Sequence, residues 1–152
     1  MLRKIFSINL LLLFFLVTFS LAEIINGVKV VGNKRISKES IIVFGKIKLD
    51  KNYNQEELND ILKHVYETNF FKKINLDIVD NTLLINVVEN PIIEDLEING
   101  IKSKKLNEVL LEKISLKSRK SYVESDFLSD LNLIKNLIKS SGYYFAEVET
   151  QS

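Results

Sequence analysis

The 152-residue sequence has no cysteine, one histidine and one proline. Without cysteine there is no disulfide, no thiol nucleophile and no lipid attached to an N-terminal cysteine. The single histidine, His64, lies in a predicted helix and has no cysteine or second histidine to join it in a metal site. Gly-rich phosphate loops and the G-x-S-x-G motif are also missing. These absences argue against an enzyme, and no cofactor or metal is predicted.

Basic and acidic residues nearly cancel, with 21 of the first and 20 of the second. Nucleic-acid-binding domains usually carry a basic surface, so no nucleic-acid partner is predicted. The hydrophobic fraction of 46% is sufficient for a packed core, which argues against global disorder. A chain of this length predicts one ordinary domain or two small ones.

The first segment, residues 1–22, has the three parts of a secretory signal peptide. Arg3 and Lys4 form the basic start, Leu10 to Phe19 is apolar, and Ser20 to Ala22 places small residues at the cleavage site. The alternative is an uncleaved membrane anchor, but the apolar run is short for a spanning helix. The sequence therefore predicts an exported mature chain.

Residues 58–91 predict an amphipathic helix followed by a two-stranded hairpin. Thr68-Asn69 ends the helix, because Asn tolerates the left-handed conformation that usually falls to Gly. From Lys72 the hydrophobic period becomes two, and Asp80-Asn81 supplies turn chemistry before a return strand over residues 82–88. The helical stripe that precedes these strands consists of Leu58, Leu62, Val65 and Tyr66.

Three shorter features precede this stretch. Residues 24–31 predict a strand that is closed by a turn at Gly32-Asn33. Ser37 is the predicted N-cap of a brief helix that Gly45 ends. Asn54 and Glu57 have the spacing of a capping box at the start of the long helix.

The second half begins after Pro91, the only proline, which suits a junction between units. A strand is predicted over residues 92–98 and a helix over 106–114. A longer helix follows over 121–141, with Ser121 or Glu124 as its first residue, and a strand begins at Tyr143. Asp126 and Asp130 share a face of the longer helix without a base or metal partner, so they predict no active site.

The two halves align as an internal repeat. Val28–Gly32 falls over Leu96–Gly100, and Thr68–Phe71 falls over Ser141–Tyr144. Each unit then reads strand, helix, helix, strand, strand over roughly seventy residues, which indicates an array of small domains. The predicted domains are residues 23–91 and residues 92–152, the second lacking its third strand. We expect the first domain to be well ordered and the end of the second to be frayed or mispaired.

The predicted fold class is α+β, with a three-stranded sheet covered on one face by two helices. The opposite face is expected to be solvated, and an open sheet leaves edges whose backbone groups can pair with another chain. Lys29, Lys73, Asn75, Asp77 and Asn86 are assigned to the solvated face. The residues assigned to the core are Val28, Val30, Ile41, Ile42, Leu58, Leu62, Val65, Ile74, Leu76, Ile78, Leu83, Ile85 and Val87.

The βααββ order after a signal peptide resembles the POTRA domain array of the outer-membrane protein assembly factors of the BamA family. The resemblance covers Val28 to Val148 and includes Thr68–Phe71, Thr82–Val87 and Gly142–Val148. It implies tandem POTRA domains, each with a three-stranded mixed sheet. The chain departs from the family pattern at Asn69, where Gly is usual, and at Val123, where an N-cap is expected.

The resemblance also implies a location and partners. POTRA domains of this family lie at the periplasmic face of the outer membrane and receive unfolded outer-membrane proteins, accessory assembly lipoproteins and periplasmic chaperones. Further POTRA domains and a C-terminal membrane barrel are implied, but neither is within these 152 residues. Contact with the membrane is therefore expected only through that barrel.

The expected binding mode is β-augmentation, in which a client strand pairs with a sheet edge. In the family the second strand of each domain is the usual edge, which here means Phe71–Val79 and Tyr143–Gln151. The predicted partner-binding positions, through their backbone, are Lys73, Asn75, Asp77, Tyr144 and Ala146. The alternative is that the polar side chains only protect the edge from aggregation.

Other POTRA-bearing classes stay open. A division protein of the FtsQ type would keep its N-terminal helix as an anchor and carry one domain, which the signal peptide and the repeat oppose. A two-partner secretion transporter, a TamA-type translocation protein and a free-standing periplasmic POTRA module are not distinguished without the barrel. An exported hydrolase is a further, less favoured alternative.

Overall fold

The computed structural model describes residues 24–151, so the predicted signal peptide lies outside the described residues. No helix in residues 24–151 is both long and apolar enough to cross a membrane. In chain order the elements are β1 (Ile24–Ile25), β2 (Gly27–Val31), α1 (Lys38–Phe44), β3 (Lys51–Asn52), α2 (Gln55–Tyr66), β4 (Phe71–Val79), β5 (Thr82–Glu89), α3 (Lys104–Lys113) and α4 (Glu124–Ser140).

The main sheet has the strand order β2-β5-β4, with β5 parallel to β2 and antiparallel to β4. The predicted mixed three-stranded sheet is therefore confirmed. Asp80 and Asn81 join β4 to β5 with φ angles of 49° and 59°, as a two-residue type I′ hairpin requires. A register shift between Phe71 and Lys73 introduces a β-bulge near the start of β4.

The helix ends follow the predicted capping chemistry. The Ser37 hydroxyl accepts a hydrogen bond from the Ser40 amide at 3.1 Å. Asn54 and Glu57 form the reciprocal capping box, with side-chain-to-backbone distances of 2.9 and 3.0 Å. Asn69 has a φ of 60° and turns the chain from α2 into β4. Local sequence therefore determines where these helices begin and end.

Every predicted core residue lies in the buried cluster of the first unit or packs against it. The structure adds several buried residues that the periodicity missed, namely Ile25, Ile47, Tyr53, Ile61 and Phe71. The predicted strand over residues 24–31 is divided at Asn26, because β1 leaves the main sheet and pairs with β3.

The second unit differs from its predicted secondary structure. Helices α3 and α4 form, but residues 93–99 contain no strand and Ile92 makes only an isolated bridge to Ser121. Residues 143–151 are turns and irregular chain, so Tyr144 and Ala146 do not lie on an edge strand as predicted. A strand needs a neighbour for its backbone hydrogen bonds, and within residues 24–151 no strand lies beside either segment. The first unit thus contains the predicted sheet, whereas the described part of the second unit contains helices without a sheet.

Helix α4 begins at Glu124, the later of the two starting points that the sequence left open. Ser121 is held in the bridge to Ile92, and the amide of Tyr122 donates to the carbonyl of Pro91 at 2.8 Å. Val123 occupies the N-cap position without a side-chain hydrogen bond, because it has no side-chain acceptor. Long-range pairing at the junction between units thus overrides the local helix signal.

Gly32 and Gly100, which align in the repeat, have similar backbones but different surroundings. Their φ angles are +90° and +85°. A β-carbon at Gly32 would lie 2.1 Å from the carbonyl oxygen of Val87 in β5, whereas nothing lies within 4 Å at Gly100. In the first unit the backbone of the central strand, β5, therefore packs directly against Gly32.

We expect Gly32→Ala to destabilise the chain by about 3 kcal/mol or more, and Gly100→Ala by about 1–2 kcal/mol. Both variants carry the strain of a positive φ, but only the first adds a collision with the backbone of β5. Urea unfolding of the mature chain followed by circular dichroism measures both losses. Equal losses would contradict the close contact between Gly32 and Val87.

Candidate functional site

The candidate site is the open edge of β4. This nine-residue strand pairs with β5 on one side, and no other strand of residues 24–151 pairs with its second side. Asn75, Asp77 and Val79 are exposed, while Leu76 and Ile78 are half-buried. A long edge strand of this kind presents backbone donors and acceptors to a further strand.

One contact reveals which backbone groups of β4 point outward. The amide of Ile74 donates to the hydroxyl of Tyr66 at 3.0 Å, so it is not directed at its partner Val87 in β5. In an antiparallel ladder, residues that bond to the partner strand alternate with residues whose N–H and C=O point away. The outward groups of β4 therefore belong to Ile74, Leu76 and Ile78.

The hairpin turn gives the same assignment independently. In a two-residue hairpin the pair that closes the turn is hydrogen-bonded, and here that pair is Val79 and Thr82. Because bonded residues alternate along the strand, the backbone groups of Asp77 and Asn75 also bond to β5. The backbone groups of Ile78 and Leu76 face the open edge.

The predicted binding positions on β4 do not supply the backbone groups of its open edge. Lys73, Asn75 and Asp77 lie on β4 as expected, but their backbones pair with β5 and their side chains lie on the outer face of the sheet. The edge groups belong to the residues between them, whose side chains face the helices. The turn at Asp80-Asn81 is the sequence feature that predicts the edge residues. The pair that closes a two-residue turn is hydrogen-bonded, and this determines which residues of the strand bond to the partner strand.

The outer face of the sheet is less polar than predicted. Asn75 lies opposite Asn86, but Lys73 lies opposite Val88 and Asp77 opposite Leu84. Val88 is 51% exposed. The face next to the open edge therefore mixes charged, amide and aliphatic side chains.

Glu89 anchors the end of the sheet next to the start of β4. Its carboxylate, with a side chain only 7% exposed, lies 3.1 Å from Nε of Arg35. It also accepts hydrogen bonds from the amides of Lys34, Arg35 and Ile36 at 2.7, 2.9 and 3.1 Å. Burial raises the pKa of the Glu89 carboxyl, but the amides and the guanidinium outweigh it, so the pKa is lowered. This cluster connects the loop after β2 to the end of β5.

The second unit contains an apolar cavity of about 370 Å³ between residues 96–101, the two helices and residues 143–151. Asp130 lies at its wall, where its carboxylate accepts hydrogen bonds from the amides of Ser115 and Leu116, both at 2.8 Å. This buried carboxylate thus connects the loop after α3 to α4. The aliphatic and aromatic lining includes Leu96, Ile98, Leu106, Phe127, Leu131, Ile134, Ile138 and Val148.

The histidine and acidic residues that the sequence analysis considered for metal or catalytic roles do not come together in one site. His64 lies on α2 with its Nε2 3.2 Å from Nζ of Lys46. In the described part of the chain no group of three or more His, Asp or Glu side chains is placed to hold a metal ion. Asp130, which the sequence left without a role, has the structural role described above.

Comparison with known proteins identifies this architecture. Residues 91–152 match the family model for POTRA, described as a surface antigen variable number repeat. Residues 91–152 are therefore similar to a POTRA domain. The match covers the second unit, where the structure has the helices but not the strands of the repeat.

Two curated relatives are outer-membrane protein assembly factors named BamA. The protein from Neorickettsia risticii is 24% identical over 135 residues, which is 89% of this chain and 17% of the relative. The protein from Neisseria meningitidis serogroup B is 31% identical over 78 residues, or 51% of this chain and 10% of the relative. The chain therefore spans about a sixth or less of the length of these relatives.

Solved structures show the same fold over most of the chain. POTRA domains 1–2 of Omp85 from Anabaena superpose with a TM-score of 0.52 and 12% identity, covering 85% of this chain and 86% of that one. The N-terminal domain of Omp85 from Thermosynechococcus elongatus gives a TM-score of 0.54 and 14% identity, covering 84% and 56%. The tandem POTRA fold class predicted from the sequence is confirmed.

We expect Glu89→Gln to lower the stability of the first POTRA unit by about 1–3 kcal/mol at neutral pH, because the carboxylate loses its charge toward Arg35 and the amides. Since the folded-state pKa is lowered from 4.5, this contribution is present above pH 4.5 and is lost as the pH falls through the lowered pKa.

Urea unfolding at pH 7 and in steps down to pH 3 measures this dependence. The wild-type and Glu89→Gln curves are expected to converge at low pH. The exposed Glu149→Gln variant is the control and is expected to follow the wild type. A constant difference between wild type and Glu89→Gln at every pH would contradict this role of the carboxylate.

Proposed function

We propose that this chain is the periplasmic POTRA region of an outer-membrane β-barrel assembly factor. In this function it receives unfolded outer-membrane proteins by β-augmentation and docks accessory assembly lipoproteins. The open edge of β4, with the outward backbone of Leu76 and Ile78, is the observation that carries the proposal. The relatives named as outer-membrane assembly factors support it, as does the predicted signal peptide.

The backbone of the edge suits a receptor of many sequences. Main-chain hydrogen bonds form with any extended segment, because every residue except proline carries the same donor and acceptor. Lys73 and Asp77 beside the edge also reduce pairing with a second copy of this chain, as charged side chains do on edge strands. The site thus combines general strand capture with protection against self-association.

The two sides of the β4 edge differ in a way that suits a barrel strand. Half-buried Leu76 and Ile78 lie on the helix side, while Asn75 and Asp77 lie on the outer side. Strands of outer-membrane barrels alternate apolar and polar residues along their length. A bound barrel strand would place its apolar residues toward the helices and its polar residues beside the outer face.

The proposed domain limits are residues 23–91 and 92–152. The pairings of the main sheet and the contacts of Glu89 with the loop after β2 lie within the first range. The apolar cavity lies within the second range, because residues 96–151 supply its whole lining.

The test is photocrosslinking to a synthetic peptide copied from one transmembrane strand of an outer-membrane barrel protein. A photoreactive residue at Asp77 is expected to label the peptide several-fold more than one at Asp60. Asp60 is the matched control, because it is an exposed aspartate on helix α2, whose backbone offers no open ladder. The reason for the difference is the open ladder beside Asp77.

A peptide methylated at alternate backbone amides is the chemical control. It keeps its side chains but loses the donors that an edge strand uses, so the Asp77 crosslink is expected to disappear. Equal labelling at Asp77 and Asp60, or labelling that survives methylation in both alternating phases, would contradict capture at the β4 edge.

A further inference from the structure

The open edge of β4 is not uniform along its length. Of its three outward amides, that of Ile74 already donates to the hydroxyl of Tyr66 at 3.0 Å. The amides of Leu76 and Ile78 point the same way, and neither has a hydrogen-bond acceptor among residues 24–151. A client strand that runs along this edge therefore meets Tyr66 when it reaches Ile74.

The position of Tyr66 is held by its neighbours. It is the last residue of α2, and its carbonyl accepts a hydrogen bond from the amide of Asn69 at 3.0 Å. The preceding residue, Val65, is fully buried, and its carbonyl accepts a bond of 2.6 Å from the hydroxyl of Thr68. The tyrosine side chain is 41% exposed, so its ring extends from a fixed backbone to the solvent side of the edge.

We propose that Tyr66 limits the length and register of a client strand on β4. With its hydroxyl in place, pairing is confined to residues 76–79, and displacement of the hydroxyl extends the ladder to Ile74. This inference rests on the proposed function, because it assigns a register to the same site. Tyr66 acts as a specificity-determining residue and contacts the first backbone donor that a longer client would need.

Tyr66→Phe is the matched test, because it removes the hydroxyl and keeps the ring. In the wild type, a barrel-strand peptide is expected to slow amide hydrogen exchange at Leu76 and Ile78 while leaving Ile74 unchanged. In the variant, the Ile74 amide should exchange faster without peptide and become protected with it. One additional backbone hydrogen bond is expected to tighten binding about fivefold.

The dependence of affinity on peptide length supplies a second readout, which compares the wild-type chain with Tyr66→Phe. Affinity is expected to stop rising once the peptide covers residues 76–79, and in Tyr66→Phe it is expected to rise over one further pair. Tyr144→Phe is the control, since Tyr144 is exposed in the second unit and should leave both readouts unchanged.

Protection at Leu76 and Ile78 with the same length dependence in wild type and Tyr66→Phe would overturn the role of Tyr66 and leave edge capture standing. Absence of protection at Leu76 and Ile78 with every peptide would overturn edge capture itself, and the register limit with it. Fast exchange at Ile74 in the free wild-type chain would also overturn the role of Tyr66.

Discussion

The structure of the first unit depends on the two hydrogen-bonded ladders of β5. This strand pairs in parallel with β2 and in antiparallel fashion with β4, and its inward side chains, Leu83, Ile85 and Val87, are all buried. The carbonyl of Val87 lies where only a glycine can approach, at Gly32. At its end, Glu89 holds the loop that leads from β2 to α1. Removing β5 would therefore separate both edge strands and expose the helix faces.

The second unit shows what the same chain pattern does without such a strand. Its helices form, since capping and amphipathic spacing are local, and Leu110 and Ile138 are buried between them. Residues 93–99 and 143–151 stay irregular, because an isolated strand cannot satisfy its own backbone. The exposed Tyr144 corresponds in the repeat to Phe71, which is only 3% exposed. Burial of this aromatic position thus accompanies a complete sheet.

The phase of the β4–β5 ladder links the fold to the candidate site. A shift by one residue would place Asn75 and Asp77 at the open edge and turn Ile74, Leu76 and Ile78 toward β5. The I′ turn prevents this shift, because Asp80 and Asn81 both adopt the positive φ that the turn requires. The contact between Tyr66 and Ile74 agrees with the same phase. A two-residue turn thus determines which amides a partner strand can reach.

The sequence by itself determined the elements whose signals are local. Ser37 and Asn54 begin helices and Asn69 turns the chain out of one, as their capping chemistry requires. Alternation from Lys72 to Val88 identified the hairpin and its core face. The internal repeat and the order of elements were sufficient for the POTRA fold. These features depend on residues close together in the chain, so periodicity and capping rules can detect them.

Only the tertiary structure decided the features that depend on distant residues. The separation of β1 from β2 follows from pairing with β3, and the late start of α4 follows from the contacts of Ser121 and Tyr122 with Ile92 and Pro91. The family resemblance pointed to the edge of β4, but the outward amides belong to the apolar neighbours of Lys73, Asn75 and Asp77. The bond from Ile74 to Tyr66 joins a strand to the end of a helix, and hydrophobic periodicity carries no information on such a contact. Hydrogen-bonding phase and long-range pairing are properties of the assembled sheet.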